Sequence, residues 1–303
     1  VVGVVMRACR GVDDIDGIRA LSAAVRQADG DAWLPDDVSA PDPHRAVAAD
    51  AETGEIVGVT SMEWWDEADG TRLYLLSGCV DPRRRRRGVG AAILRWQEEQ
   101  AVAFDRDQPS TAAARAFGVN VAPQQTANHA LVTAAGYRVA FTVLELTCRP
   151  QGDAGALPAG LELRAVETTH HRRIHEAVEE CFAASRHGYQ ARTHEQYLQD
   201  VRDVDLWQVA WAGDEVAAVV ATELEPDGTA TTPWVAVRPP WRRRGVGLAL
   251  MRHTLRALAG RGVPLARLRT IEENPHNSVG LYERAGYTIT DRQPRYRKPL
   301  PPR

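Results

Sequence analysis

"VDPRRRRRGVG", Val80 to Gly90, sets five arginines directly before a glycine pair. The pattern returns as "VRPPWRRRGVG", Val237 to Gly247, so Arg85-x-x-Gly88-x-Gly90 has a second copy in Arg242-x-x-Gly245-x-Gly247. A lone arginine run is most often a solvated turn or a nonspecific anion patch. Two copies in matched surroundings need another explanation. Upstream, "DAETGEIVGV" (Asp50 to Val59) and "AWAGDEVAAVV" (Ala210 to Val220) each predict a hairpin, turning at Thr53-Gly54 and Gly213-Asp214 between β-prone runs. Asp69-Gly70 and Asp227-Gly228 each open a strand that ends at the arginine-glycine motif. Downstream, "AAILRWQEEQAVAF" and "LALMRHTLRALA" carry helical apolar spacing. Each half closes with a strand, a short helix, a Gly-Tyr pair (Gly136-Tyr137, Gly286-Tyr287) and a last strand.

The chain is therefore two copies of one α/β unit, far longer than a solenoid repeat. A length of 303 residues carries the same expectation of two domains. The expected domains are residues 1–150 and 158–303, joined by the Pro- and Gly-rich "CRPQGDAGALPAG", Cys148 to Gly160.

Composition narrows the partners. A hydrophobic content of 44% with 25% charged residues marks a folded chain, not a disordered one. Arginine supplies nearly all the positive charge, Lys298 being the only lysine, yet the formal net charge is −3. That balance argues against a general nucleic-acid binder. Cys9, Cys79, Cys148 and Cys181 are scattered without metal-ligand spacing and fit a reducing compartment. No apolar run approaches the roughly 20 residues of a membrane span, and the opening "VVGVVMR" is too short for a signal-peptide core. The expectation is a cytoplasmic protein, monomer or homodimer, with no membrane or nucleic-acid partner. His171 and His175 lie four apart on one predicted helix, but no H-E-x-x-H pattern or third ligand accompanies them. They read as a solvated face, and no metal is expected.

The glycine pair sits where a strand ends and a helix begins. A helix's first turn has unpaired N–H groups and partial positive charge, and glycine lets a bulky anion come close. A pyrophosphate there would be held by amides, with guanidiniums neutralising its charge. Rival phosphate motifs fit worse. No Gly-Lys-Ser/Thr ending marks a P-loop, and the third glycine of a Rossmann fingerprint is replaced by Ile93 and Leu250.

With these residues in place, both halves resemble the GNAT superfamily of acyl-CoA-dependent N-acyltransferases, whose pyrophosphate loop reads Q/R-x-x-G-x-G/A. "ENPHNSVGLYERAGY", Glu273 to Tyr287, resembles the family's later motif. The arrangement is similar to the tandem-domain group that includes mycothiol synthase. The resemblance implies an α/β (α+β) fold of two tandem domains, each a curved mixed β-sheet flanked by helices. Acyl-CoA would lie between two splayed parallel strands. It also implies acetyl-CoA as acyl donor and a small primary amine as acceptor, the amine attacking the thioester directly.

By that likeness Tyr282, four residues before Gly286, is the general acid. A tyrosine of ordinary pKa about 10 donates to a thiolate yet stays protonated at neutral pH. Asn274 resembles the Asn on the pantetheine arm, with Asn277 and Ser278 beside it as further contacts. Val235, Ala236 and Val237 would offer backbone amides to the thioester and pantetheine. Arg242, Arg243, Arg244, Gly245, Val246, Gly247 and Leu248 would hold the pyrophosphate. In the first half the corresponding contacts are Cys79 and Val80, then Arg85, Arg86 and Arg87, then Gly88, Val89, Gly90 and Ala91. That half has Val132 in place of the tyrosine and Gln124 in place of Asn274. It is expected to keep a phosphate loop but not the chemistry.

The general base stays open among Glu223, Glu272, Glu273 and loss of the proton to water. "CFAASRHGYQ", Cys181 to Gln190, falls where the family places its segment over the acceptor, making His187 and Tyr189 candidate acceptor contacts. Trp64, Trp65 and Trp234 read as packing residues. A second reading is a non-catalytic acyl-CoA sensor or scaffold. A third, nucleic-acid binding through the arginine runs, conflicts with the net charge.

Overall fold

Turn chemistry builds the hairpins. Asp50 Oδ1 accepts the N–H groups of Glu52 and Thr53, both at 3.1 Å, and Gly54, at φ 72°, donates to Asp50 O at 2.9 Å. Gly213, at φ 56°, turns the second hairpin. The computed structural model describes residues 3–30, 42–67, 69–109, 112–183, 189, 191–274 and 276–302. It divides into two units, Val1–Phe141 with Gln293–Arg303, and Thr142–Arg292. No described helix is long and apolar enough to cross a membrane.

Unit 1 runs β1 (Val4–Ala8), α1 (Ile15–Asp29), β2 (Ala46–Asp50), β3 (Ile56–Asp66), β4 (Thr71–Val80), α2 (Val89–Asp107), β5 (Ala114–Asn120), α3 (Thr126–Ala134) and the start of β6 (Arg138–Cys148). Strands β1 to β4 pair antiparallel in order, and β4 pairs parallel with β5. Ile18, Leu21 and Val25 of α1 pack against Val47, Val59 and Cys79. Leu94 and Ala101 of α2 pack with Tyr74, Phe117 and Tyr137 in a separate cluster.

Unit 2 repeats the plan with β7 (Glu162–Leu163), α4 (His171–Phe182), α5 (His194–Gln199), β8 (Gln208–Ala212), β9 (Glu215–Leu224), β10 (Ala230–Val237), α6 (Val246–Gly260), β11 (Ala266–Ile271), α7 (Ser278–Ala285) and the start of β12 (Thr288–Pro299). Strands β7 to β10 are antiparallel neighbours, and β10 pairs parallel with β11. One face of its sheet packs Trp234 and Ala221 against Ile174 and Val178 of α4. The other packs Val220 and Leu268 against Leu250 and Leu255 of α6, with Tyr282 in the same cluster. In each unit this is the α+β architecture of mixed strands flanked by helices that the family resemblance implies.

The units are not the sequence halves 1–150 and 158–303. Val143 to Cys148 of β6 pair antiparallel with β11 inside unit 2. Arg295 to Pro299 of β12 pair antiparallel with β5 inside unit 1. Each unit completes its sheet with a strand from the other half of the sequence.

Candidate active site

The arginine-glycine motifs adopt one backbone in both units. Arg86 and Gly88 stand at φ 61° and 82°, Arg243 and Gly245 at 63° and 82°. A non-glycine residue in this region is strained, and strain repeated at one loop position signals a function that requires it. Gly88 and Gly245 are the residues just before α2 and α6. A Cβ on Gly245 would meet nothing within 4 Å, so its glycine answers to backbone conformation alone. Gly245→Ala is expected to cost about 1–2 kcal/mol of stability, measured by chemical denaturation, and to weaken CoA binding.

The third motif position has a different cause. A Cβ on Gly247 would lie 3.3 Å from Val237 and Leu281, and one on Gly90 would lie 3.2 Å from Leu131. These glycines seat the helix start against the strand end and the following helix. The first helical bonds are Ala92 N–H to Gly88 O and Ala249 N–H to Gly245 O, both 3.0 Å. The amides of Val89, Gly90 and Ala91, and of Val246, Gly247 and Leu248, therefore have no partner within their helices and carry the N-terminal field. That is an anion cradle in each unit.

Arg85 and Arg242 have a task the motif alone does not show. Each Nε donates back to the strand end, Arg85 to Val80 O at 3.3 Å and Arg242 to Val237 O at 2.8 Å. They brace the strand-to-loop junction. Arg244 stacks 5.3 Å over Trp241, while Arg243, Arg86 and Arg87 are exposed.

Beside each cradle the parallel strands come apart. Pairing of β10 with β11 ends at Thr232 and Leu268, and pairing of β4 with β5 ends at Leu75 and Gly118. The unit 1 opening holds a cavity of about 80 Å³ lined by Ser77, Cys79, Asn120 and Val132. Burial pushes the Cys79 thiol up to about 12, so it stays a neutral thiol there.

The strands beside the two openings differ in register. The β3–β4 register is unbroken from Gly58–Val80 to Asp66–Arg72. The β9–β10 register shifts between Thr231 and Trp234, leaving Thr232 and Pro233 opposite Thr222 alone. This β-bulge is in unit 2 only. Pro233 is the sequence signal that should have found it, because proline in a central strand marks a bulge.

Beyond the bulge, Arg238 N–H donates to Ala217 O at 3.1 Å. Antiparallel alternation then turns the N–H of Ala236 toward β9 and those of Val235 and Val237 toward the opening. Of the three amides expected to reach the thioester, Ala236 is corrected. By the same alternation Asp81 N–H bonds Val57 O at 2.9 Å, so in unit 1 the N–H of Val80 faces the opening and that of Cys79 does not.

Tyr282 lies on α7, 6% exposed, in the cluster containing Val235, Val237 and Val246. Its ring meets Tyr287 edge-on at 6.3 Å, and its hydroxyl has no hydrogen-bond partner among the described residues. Burial holds its pKa above the ordinary phenol range. The remaining motif residues shape the loop into α7. Asn274 Oδ1 accepts the His276 N–H at 2.8 Å, and Asn277 enters the helix at φ 54°. Ser278 Oγ is 2.8 Å from Thr270 Oγ1, tying α7 to β11. Asn274, Asn277 and Ser278 are thus loop-shaping residues in this structure.

Among the carboxylates, Glu272 contacts Arg292 Nε at 3.5 Å and Glu273 accepts the Thr142 N–H at 3.0 Å. Glu223 is 7% exposed, faces Thr231 across the strands and pairs with Arg202. It shares a sheet face with Val219 and Ala221, the face opposite Tyr282. Tyr189 donates to Glu179, which also accepts the Arg192 N–H at 3.2 Å. Arg192 lies 5.6 Å over Trp234. His187 lies outside the described residues. His171 Nδ1 bonds Tyr197 Oη at 2.9 Å and His175 Nε2 bonds Arg192 O at 3.0 Å.

Two strand-to-helix anion cradles, each beside a parallel splay, define an acyl-CoA N-acyltransferase architecture. Residues 18–136 and 171–287 each match the acetyltransferase (GNAT) family, and the chain belongs to that family. It is an N-acyltransferase of two tandem GNAT domains. A GCN5-related N-acetyltransferase from Sphaerobacter thermophilus is similar over 99% of this chain and 96% of its own, at 26% identity and a TM-score of 0.75. A tandem GNAT protein from the clavulanic acid biosynthesis pathway matches over 99% of both chains, at 16% identity and a TM-score of 0.68. A GCN5-related glucosamine N-acetyltransferase region of a fungal multi-domain β-N-acetylglucosaminidase shares the fold over 97% of this chain and 38% of that one, at 16% identity and a TM-score of 0.69. No curated protein sequence matches.

Proposed function

We propose that unit 2 carries out acetyl transfer from acetyl-CoA to the primary amine of a small molecule, and that unit 1 does not catalyse. The observation that supports this most is the joint presence in unit 2 of the bulge, the open-side amides of Val235 and Val237, and Tyr282. In unit 1 the β3–β4 register is unbroken, and Val132 lines the opening.

In this reading the amides of Val246, Gly247 and Leu248 hold the pyrophosphate, and the open-side strand amides receive the pantetheine and the thioester carbonyl. An N–H aimed at the carbonyl oxygen stabilises charge as the amine attacks. Tyr282 gives its proton to the departing CoA thiolate. Glu223 of β9, on the sheet face opposite Tyr282, takes the proton of the incoming ammonium. Acid and base on opposite faces suit an amine that approaches from the side away from CoA.

The test is release of CoA thiol with a panel of small amines, with acetylated product identified by mass spectrometry. CoA binding with no transfer to any amine would support the sensor reading instead. The raised Tyr282 pKa carries a sign. Its neutral form is favoured in the folded state, so it stays a proton donor up to at least about pH 10, the ordinary tyrosine value. Its stabilising contribution is present below that pH and is lost as pH rises through the folded-state pKa. No alkaline loss of kcat traceable to this phenol is therefore expected below about pH 10. A phenolate absorbance that rises by about pH 9 and vanishes in Tyr282→Phe would contradict the assignment.

A further inference from the structure

The two cradles share a backbone but not a charge balance. The matched bonds from Arg85 to Val80 O and from Arg242 to Val237 O put both guanidiniums at one place in their loops. In unit 1, Asp29 at the end of α1 takes the rest of that group, accepting from its two terminal nitrogens at 2.7 and 2.8 Å. In unit 2 the last turn of α4 brings the uncharged Cys181 beside Arg242 instead. Arg242 makes no ion pair among the described residues, its other contact being His276 Nε2 at 3.3 Å.

A guanidinium held bidentately by a carboxylate has little charge left to offer an incoming anion. The carboxylate also repels that anion. The Asp29 and Arg85 side chains are 16% and 30% exposed, so water and salt screen the pair less than they screen an open surface pair. We propose that Asp29 is an internal counter-anion that sets the affinity of the unit 1 cradle for CoA below that of the unit 2 cradle, so that unit 2 fills first. This rests on the acyl-CoA reading of both loops. It makes the first helix of each unit, far from the motif in sequence, the element that ranks the two sites.

The experiment is calorimetric titration of the full chain with CoA, in wild type, Asp29→Asn and Asp29→Glu, at low and high salt. Gly88→Asp, which puts a carboxylate in the unit 1 cradle, identifies the site being read. Asp29→Asn is expected to tighten the unit 1 site by about tenfold and leave the unit 2 site unchanged. The gain should shrink as salt rises, and Asp29→Glu should behave as wild type. If wild type fills one site only, Asp29→Asn is expected to reveal the second. Equal affinities in wild type and Asp29→Asn, a gain that Gly88→Asp does not abolish, or identical behaviour of the Asn and Glu variants would overturn the role of Asp29. No CoA binding by any variant would overturn the acyl-CoA reading itself, and this proposal with it.

Discussion

Tyr282→Phe is expected to lower the rate of CoA release by about 10²- to 10⁴-fold, the range of general-acid effects, with a cognate amine. The substitution removes one oxygen and leaves the ring. The ring is buried against Tyr287 in the cluster that seats α6 and α7, so packing and CoA affinity should change little. That separates a chemical role from a structural one. A core tyrosine whose hydroxyl does nothing would show neither effect, and a ring-dependent fold would show a fall in stability as well. Steady-state kcat beside a CoA titration distinguishes the three. Val132→Tyr in unit 1 is the useful companion, since that position lacks the neighbouring bulge and should gain no activity.

Removing residues 293–303 is expected to abolish the folding of unit 1, although the cut lies at the far end of the chain from most of that unit. The segment is the strand beside β5, paired from Arg295–Asn120 to Pro299–Ala116. Tyr296 is buried in the unit 1 core, and its hydroxyl lies 2.9 Å from His129 Nδ1. Lys298 bonds Glu98 of α2 at 2.8 Å and lies over the rings of Phe117 and Tyr137. Arg297, whose pKa burial pushes down, lies 3.6 Å from Glu67. Truncation strips a strand from β5 and exposes that core. Tyr296→Ala alone should cost roughly 3–5 kcal/mol, as large aromatic truncations do. Circular dichroism and limited proteolysis would read the effect, and cleavage confined to residues of unit 2 would be the contrary result.

How much of this was legible in the sequence follows the range of the interactions. The hairpin turns, the helix starts and the two αL glycines are set by residues within a few positions of one another, and one-letter patterns carry them. Tyr282 came forward as a candidate through the family resemblance, by its place four residues before the Gly286-Tyr287 pair that follows α7. The bulge was half legible, since Pro233 stood in a strand where it had no place. Ala236 was misjudged because register, not identity, decides which way an amide points.

The sequence by itself determined that the chain is a doubled α/β unit with two matched arginine-glycine junctions, and that Tyr282 of the second half has Val132 as its counterpart in the first. Those features rest on local backbone conformation and on repetition, and both are visible along a single line of residues. Only the tertiary structure decided that β6 and β12 finish each other's sheets. Two like halves present like strand edges, and a strand's own residues do not state which edge it will join. It also decided that Asp29 closes on Arg85 while Arg242 stays without an ion pair among the described residues. Partners that distant in sequence meet only when the helices are seated on the sheet. Identical R-x-x-G-x-G motifs thereby became two cradles of different charge.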